Sequence, residues 1–357
     1  MLAVLRSSTF LLAVVAGCSH ASPEGPPPGS DVVPRGERVL SVSMTQADGE
    51  SFDDALALVQ AAGVQATSLP VFWDEIERAP GVFDPDPNWL AIADAFYPGA
   101  GVQIVLGIHP IDTNQDRRPA DLQGRPFDDP EVIARYGALL EWALGQTPHL
   151  DLVALSVGNE VDALLGSDAE AWAAYGRFFD AARARVHQTR PGLHVGAKAT
   201  YGGLMGDGQS ALQALNARAD ALLVTYYPLG PDSAARPPSA VQGDVDRLLA
   251  AYPDGPVHLL ETGYPSGTSC GGSPDRQADF VREVFRAWDR HAGRIQTVEF
   301  TWLTDIAPER VEAYVDYYGV DDACFRDYLG TLGLREHDGS SKPAWDRLVE
   351  EAEARGW

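Results

Sequence analysis

Residues 150–160 read LDLVALSVGNE, an apolar run typical of a buried strand that ends directly in Asn159 and Glu160. Residues 257–265, VHLLETGYP, repeat the arrangement, with Glu261 after the apolar positions. A carboxylate at the end of a buried strand is either a solvated loop residue or a group that carries chemistry. The fold decides between these readings, because only some folds bring two strand ends together.

Eight apolar runs alternate with amphipathic stretches from residue 38 to the C-terminal region. This alternation predicts a parallel sheet, and eight units in about 320 residues match a single-domain (β/α)8 barrel over residues 37–357. An open doubly wound sheet is the alternative, but no glycine-rich phosphate loop follows the first run. The predicted strands are residues 38–44, 64–71, 102–110, 150–160, 193–200, 221–228, 257–265 and 297–304. The predicted helices are residues 52–63, 89–96, 131–144, 169–188, 210–219, 245–252, 274–293 and 342–354.

In a (β/α)8 barrel the active site lies at the carboxyl ends of the strands. Glu160 ends the fourth run and Glu261 the seventh, so both are predicted to face one pocket. Two facing carboxylates suit glycoside hydrolysis, in which one protonates the leaving oxygen while the other attacks the anomeric carbon or activates water. A retaining mechanism places them roughly 5–5.5 Å apart, where one ionised group raises the pKa of the other.

The fourth-run ending Asn159-Glu160 and the seventh-run ending ETGYP resemble clan A of the glycoside hydrolases, which are (β/α)8 retaining β-glycosidases. The resemblance implies that Glu160 is the acid/base, that Glu261 is the nucleophile and that Asn159 binds the sugar 2-hydroxyl. ETGYPS is most similar to endo-β-galactanases and β-1,3-glucanases, but so short a motif does not choose the sugar or the linkage. The implied partner is a β-linked glycan, and no metal or organic cofactor is implied.

The same resemblance implies further substrate-binding residues at other strand ends. Tyr227 would hydrogen-bond the nucleophile, and strand alternation allows only one of Tyr226 and Tyr227 to do so. Trp302, in the eighth run, would stack under the sugar, and His109, ending the third run, would contact it. A core Trp and a satisfied core His are the alternatives for these two positions.

The second run resembles the family less closely. Trp73 matches a loop in which a Trp and a Glu line the cleft, although Glu75 and Glu77 can equally be surface residues. Ser68 stands where family members commonly place an Arg that supports the nucleophile. Because Lys198 is the only cation in the predicted strands that could reach inward, we expect it to replace that Arg.

Residues 1–18, MLAVLRSSTFLLAVVAGC, have the form of an export signal whose apolar run is too short to span a bilayer. Val-Ala-Gly-Cys at its end resembles the lipobox of bacterial lipoproteins, which implies that Cys18 is lipidated; an ordinary signal peptide with a chance Cys is the alternative. Residues 19–36 are rich in Pro, Gly and Ser and are predicted to form a tether. The predicted location is the bacterial cell envelope, and the outer membrane if there is one, because Ser19 is not the Asp typical of inner-membrane retention.

The chain carries 27 basic and 51 acidic residues, a formal charge of −24. Such a surface repels phosphate backbones, so nucleic acid is excluded as a partner and a neutral ligand is favoured. Membrane contact is expected through the lipid anchor only, and the protein is expected to be a monomer. In an exported protein the remaining cysteines, Cys270 and Cys324, favour a disulfide over two free buried thiols. No CxxC or HxH spacing supports a metal site.

These features predict a lipid-anchored, exported retaining β-glycosidase. Two other functions fit the same sequence. A carbohydrate-binding lipoprotein would keep the barrel and its aromatic cleft without turnover, and the missing second-strand Arg favours it. A transglycosylase would use the same residues and transfer the glycosyl unit to another sugar instead of water.

Overall fold

A computed structural model describes residues 32–230 and 234–357. It consists of a parallel barrel whose eight strands match the eight predicted runs, so the predicted fold class is confirmed. The predicted signal, Cys18 and most of the tether lie outside the described residues. The barrel strands are Val39–Val42, Ala66–Phe72, Gln103–Asp112, Leu152–Asn159, a fifth strand in two parts (His194–Gly196 and Lys198–Thr200), Leu222–Tyr226, Val257–Thr262 and Ile295–Phe300.

The ring of strands is nearly closed. The first strand pairs in parallel with the eighth, with Val39 opposite Thr297. The fifth strand is interrupted at Ala197: its first part pairs with the fourth strand and its second part with the sixth. All eight carboxyl ends therefore lie on one face, which is the geometry needed to bring the ends of the fourth and seventh strands together.

Each of the eight predicted helices is present. Their starts follow from the sequence, because Ser51, Asp168 and Ser273 accept hydrogen bonds from backbone N–H groups in the first turns of the helices that follow them. The helices are Phe52–Ala61, Trp73–Ile76, Trp89–Ala100, Pro130–Gln146, Val161–Leu165, Ala169–Thr189, Tyr201–Met205, Gln209–Asn216, Ala240–Ala251, Pro274–Arg290, Pro308–Tyr318, Ala323–Gly330 and Pro343–Arg355. Short hairpin strands occur at Glu77–Ala79, Val82–Phe83 and Gln115–Asp116. Among the described residues, no helix has the length and apolar character needed to cross a membrane.

The last residues of the predicted tether are bound to the barrel. The Arg35 backbone N–H donates to the Arg355 carbonyl at 2.9 Å, and the Arg38 guanidinium donates to the carbonyls of Val33 and Pro34. Residues 33–35, which belong to the predicted tether, therefore contact the barrel.

Residues 305–333, called here the cap segment, follow the eighth strand and contain the two long helices that the sequence analysis did not predict, Pro308–Tyr318 and Ala323–Gly330. A buried ion pair holds its two ends together, since Lys342 Nζ lies 2.6 Å from Asp305 Oδ1 and 3.0 Å from the Gly333 carbonyl. The cap segment is thus a loop with a fixed base.

A disulfide joins Cys270 to Cys324, with a Cα–Cα distance of 4.8 Å. Cys270 belongs to the loop after the seventh strand and Cys324 to the cap segment. The predicted pairing is present in the structure, and it ties the cap segment to the loop that follows Glu261.

Only two lysines occur in the chain, Lys198 and Lys342. They are 7% and 1% exposed, and each is paired with a carboxylate, Glu261 and Asp305 respectively. Every other basic side chain apart from histidine is an arginine, so the fold uses lysine for buried positions only.

Candidate active site

A cavity of about 920 Å³ opens at the carboxyl ends of the barrel strands. Most of the residues that the sequence analysis proposed for substrate binding or catalysis line it. They are His109, Asn159, Glu160, Lys198, Tyr227, Glu261 and Trp302.

The backbone is unusual at both predicted catalytic carboxylates. Glu160 has φ +44° and Glu261 has φ +63°; among the described residues, Thr113 is the one other non-glycine residue with positive φ. The left-handed region is unfavourable for residues other than glycine. Such residues adopt it only where the surrounding structure imposes it, often at functional sites. The fold therefore holds Glu160, Glu261 and Thr113, which contacts Glu160, in a backbone conformation that an ordinary strand ending does not adopt.

Neutral hydroxyl groups hold Glu160. Thr113 Oγ1 donates to Oε2 at 3.0 Å and Thr225 Oγ1 donates to Oε1 at 2.7 Å. Burial, and secondly the negative charge of Glu261, raise the pKa of Glu160 to about 7. A substantial fraction of Glu160 is therefore protonated near neutral pH, as a general acid requires.

A cation holds Glu261 instead. Lys198 Nζ forms an ion pair with Oε1, and the Tyr227 hydroxyl lies 3.5 Å from Oε2. Burial, the largest single effect, lowers the pKa of Lys198, but the charge and hydrogen bond of Glu261 together with the charges of Glu299 and Glu160 outweigh it, so the pKa of Lys198 is raised. Tyr226 points elsewhere and donates to Asp244 at 2.8 Å. Tyr227, not Tyr226, therefore lies next to Glu261, and Lys198 reaches it from the fifth strand.

A cluster of hydroxyls and one carboxyl surrounds Ser68, the position where the resemblance led us to expect an Arg. Ser68 Oγ lies 3.0 Å from Ser43 Oγ, and Ser43 and Ser41 donate to Glu299 at 2.9 and 2.7 Å. Glu299 is 1% exposed, and burial raises its pKa although the charge of Lys198 and the hydroxyls lower it. The sequence analysis missed Glu299; the signal for it was a charged residue inside the apolar run TVEFTWLT.

Asn159 and His109, which line the cavity, have unused hydrogen-bonding atoms. Asn159 Nδ2 donates to Asp112 at 2.8 Å, but Asn159 Oδ1 has no partner among the described residues. His109 is 2% exposed, and neither ring nitrogen has a partner there. Burial, and secondly the charge of Lys198, lower the pKa of His109 to about 3, so the ring is neutral. Buried polar atoms without partners are costly, which makes these atoms available to a polar ligand.

The cap segment supplies an aromatic wall that the sequence analysis did not foresee. The Trp302 indole stacks on Tyr314 with centroids 6.0 Å apart, and Tyr314 stacks on Tyr318 at 5.9 Å. One face of Trp302 is thus already covered by protein. The aromatic residues of the cap segment that line the cavity are Tyr314, Tyr317, Tyr318, Phe325 and Tyr328. The tyrosine-rich stretch AYVDYY was the available signal.

The expectation that Trp73 lines the cleft has to be corrected. Its indole is fully buried, packs on Tyr136 with centroids 5.0 Å apart and donates to Glu77, and it is not part of the cavity wall. Its neighbour Phe72 lines the cavity instead, with the Arg117 guanidinium 4.1 Å from the ring centroid. Trp73 is therefore a core residue.

Two arginines that line the cavity form ion pairs with carboxylates that do not line it. Arg117 forms an ion pair with Asp74 at 2.9 Å and Arg236 forms one with Asp244 at 2.8 Å. In the part of the chain that the structure describes, no group of three or more His, Cys, Asp or Glu side chains is arranged to hold a metal ion.

The sequence matches no protein-family model, and no curated protein matches it significantly. Solved structures do match. An exo-β-1,4-mannosidase from Opitutaceae bacterium strain TAV5 has 18% identity and a TM-score of 0.69. The match covers 89% of the present chain and 59% of the length of the mannosidase. A GH5_18 protein from Bifidobacterium longum subsp. longum, in complex with Manβ1-4GlcNAc, has 16% identity and a TM-score of 0.69, covering 88% of this chain and 78% of its own. A family 39 glycoside hydrolase from Bacteroides cellulosilyticus WH2 has 14% identity and a TM-score of 0.60, covering 90% and 64%. These similarities establish that the chain has the (β/α)8 barrel fold found in clan A glycoside hydrolases.

Proposed function

We propose that this protein is a retaining β-glycosidase in which Glu160 is the acid/base and Glu261 the nucleophile. The observation that carries the proposal is the contrast between two carboxylates in one cavity. Burial and the charge of Glu261 keep Glu160 partly protonated, although its two hydroxyl hydrogen bonds favour the ionised form, whereas an ammonium group accompanies Glu261. This is the division of roles that double displacement at an anomeric carbon requires.

In the first step a Glu261 oxygen attacks the anomeric carbon, the bond to the leaving oxygen breaks, and Glu160 transfers its proton to that oxygen. Glu261 is then an uncharged ester, which removes the charge that raises the pKa of Glu160. Glu160 therefore becomes a better base for the second step. It takes a proton from water, whose oxygen attacks the anomeric carbon and releases Glu261.

The remaining cavity residues are assigned to holding the sugar. The unpartnered atoms of Asn159 and His109 would bind its hydroxyls, and the Tyr227 hydroxyl would orient Glu261. The free part of the Trp302 indole would pack on the apolar face of the ring. These roles account for polar atoms that have no partner inside the protein.

The first substrates to assay follow from the comparisons and from the ETGYPS motif. Structural similarity to an exo-β-1,4-mannosidase and to a protein bound to Manβ1-4GlcNAc makes β-mannosides and this disaccharide the leading candidates. β-Galactans and β-1,3-glucans come next because of the resemblance in the seventh strand.

The test is hydrolysis of aryl β-glycosides, Manβ1-4GlcNAc and the two polysaccharides by the wild-type protein and by Glu261→Gln. We expect turnover on at least one substrate, with the β-anomer released first in NMR, and loss of turnover in the variant. A matched control is Glu283→Gln, which removes a largely buried carboxylate outside the cavity. Calorimetric binding of these glycans without turnover would instead identify a carbohydrate-binding protein, and longer oligosaccharides among the products would identify a transglycosylase.

Retention with Glu160 as acid/base has its own test. Glu160→Ala should lose activity on substrates whose leaving group needs protonation but should still react with a dinitrophenyl β-glycoside. Added azide should restore turnover and give the β-glycosyl azide, because a small anion needs no general base. An α-azide, or no rescue on any accepted substrate, would contradict the assignment.

A further inference from the structure

Asp112, the last residue of the third strand, connects the barrel to the cap segment. It lines the cavity and is 8% exposed. Its Oδ1 accepts a hydrogen bond from Asn159 Nδ2 at 2.8 Å, and its Oδ2 accepts one from the Tyr317 hydroxyl at 2.6 Å. The mechanism above gives this carboxylate no role, although both of its oxygens contact residues that line the cavity.

The neighbouring groups fix the direction of both hydrogen bonds. The Arg117 guanidinium lies 3.3 Å from the Tyr317 hydroxyl oxygen and can only donate to it, so the hydroxyl hydrogen is free to point to Asp112. An ionised carboxylate accepts hydrogen bonds and donates none. The amide nitrogen of Asn159 therefore faces Asp112, because a turned amide would set two acceptor oxygens against each other.

The orientation of the Asn159 amide depends on this one contact. The Asn159 backbone is held separately, since Asn159 pairs with Asp112 between the strands and its carbonyl accepts from the Thr113 backbone N–H at 2.9 Å. Among the described residues, Asp112 is the hydrogen-bond partner of the amide group, and Asn159 Oδ1 has none. Removing the Asp112 carboxylate would therefore release the amide without moving the strand.

The cap segment is also bound at this place through its backbone. Asn114 Nδ2 donates to the Tyr318 carbonyl at 3.2 Å, and Gln115 Nε2 donates to the Tyr317 carbonyl at 3.1 Å. These bonds reach the carboxyl end of the first cap helix from the loop after the third strand. The position of this helix end therefore does not depend on the Tyr317 hydroxyl alone.

We propose that Asp112 is a positioning residue that orients the Asn159 amide for the sugar and makes this orientation depend on the Tyr317 hydroxyl of the cap segment. With its nitrogen held by Asp112, Asn159 presents its oxygen as an acceptor for a sugar hydroxyl. This inference rests on the proposed function, in which Asn159 binds a hydroxyl of the substrate. The cap segment then takes part in sugar recognition through a chain of hydrogen bonds as well as through its aromatic side chains.

The test compares an aryl β-glycoside that the wild type accepts with its monodeoxy analogues, each of which lacks one ring hydroxyl. Relative to the wild type, Asn159→Ala should lower kcat/KM on every one of them except the analogue that lacks the hydroxyl bound by Asn159. In Asp112→Ala we expect kcat/KM to fall by about fivefold or more on the complete glycoside and to change by less than about twofold on that analogue. The double variant Asp112→Ala/Asn159→Ala should be no worse than Asn159→Ala, because the two residues act as a unit.

Tyr317→Phe is the second variant, and it decides the question if Asp112→Ala does not fold. It should show the same selective loss, by about threefold, because the Asp112 carboxylate keeps Asn159 but loses the bond that fixes its other oxygen. The matched control is Tyr252→Phe, which removes a buried hydroxyl that donates to the Leu204 carbonyl at 3.1 Å outside the cavity. The control should leave kcat/KM unchanged on both substrates.

A merely structural role for Asp112 predicts equal losses on the complete glycoside and on the deoxy analogue. That result, either variant matching the wild type, or an Asn159→Ala variant that affects all analogues alike would overturn the inference. If the wild type binds glycans without turnover, the proposed function fails, and calorimetric affinities for the same pair of sugars test the inference by itself. A wild type that neither binds nor cleaves any of the glycans would overturn both.

Discussion

At the scale of single residues, the two glutamates show how identical side chains acquire different surroundings, from which we propose opposite roles. Glu160 receives hydrogen bonds from uncharged Thr113 and Thr225, whereas Glu261 faces the ammonium group of Lys198. The surroundings of the two glutamates differ because different strands contribute the side chains next to each of them. Catalytic assignment therefore follows from the neighbours of each carboxylate more than from its position in a motif.

The raised pKa of Glu160 predicts the pH dependence of activity. Glu160 must be protonated in the free enzyme, so kcat/KM should fall as pH rises through about 7. Replacing Glu261 by Gln removes a charge that raises this pKa, so carbonyl-region infrared titration of that variant should show Glu160 titrating at lower pH. An alkaline limb that stays several units above 7 would exclude Glu160 as the acid.

Lys198→Met should reduce turnover far more than substrate binding. Without the ammonium group the developing charge on Glu261 loses its partner, a change that typically costs about 100-fold in kcat. We expect KM to change by less than about threefold, and Lys198→Arg to recover part of the activity. Steady-state kinetics measure both quantities, and a Met variant as active as wild type would show that the ion pair has no catalytic role.

The residues that the sequence could and could not predict differ in a simple physical way. Glu160 and Glu261 end long apolar runs, so their place at the barrel mouth follows from strand geometry. Trp73 follows Phe72, and neighbouring side chains at a strand end point in opposite directions, so a one-residue error of register exchanges core for cavity. Glu299 depends on partners far away in sequence, which local patterns do not reveal.

At the scale of secondary structure elements, the hydrophobic periodicity of the sequence predicted the helices around the barrel but not the helices of the cap segment. The helices around the barrel bury a continuous apolar face, which gives a regular sequence pattern. Helix Pro308–Tyr318 fully buries only Val311 and Val315, one turn apart, and presents tyrosines to the cavity. The sequence pattern of this helix therefore reflects the cavity more than the core. A prediction of eight strand–helix units does not include it.

Removing the disulfide should loosen this element. Cys270 and Cys324 are 54 residues apart, and the loop-entropy model assigns such a bond roughly 4 kcal/mol of stability. In the double variant Cys270→Ser/Cys324→Ser we expect a lower free energy of unfolding and a raised KM with little change in kcat, because the cap segment lines the cavity but does not hold Glu160 or Glu261. Denaturant titration and kinetics measure these effects, and a double variant as stable as the disulfide-bonded wild type would contradict the expectation.

At the scale of the whole molecule, the net charge bears on how the protein associates with a membrane. A formal charge of −24 disfavours contact with anionic lipid head groups, which favours a covalent anchor over surface charge as the means of membrane association. We propose that Cys18 provides it and that the protein is exported to the cell envelope. The described residues begin at Val32, so this proposal rests on the sequence.

Cys18→Ala should release the protein from the membrane fraction or block its maturation. The measurement is detergent partitioning together with mass spectrometry of the mature N-terminus, and Ser19→Ala serves as the control that leaves the lipobox Cys intact. If the Ala variant partitions as the wild type does, the lipobox assignment is wrong. In a cell with an outer membrane, fractionation should recover the wild type there.

The confinement of lysine to Lys198 and Lys342 has a practical consequence. An amine-selective acylating reagent meets no lysine on the folded surface, and Lys342 is enclosed beneath the cap segment. Lys198 lines the cavity, so it is the lysine that a small reagent entering the cavity would modify at a pH high enough to deprotonate its amine. Protection of Lys198 from acylation by a glycan, read by peptide mass spectrometry, would report occupancy of the cavity for any candidate sugar, whether or not that sugar is cleaved.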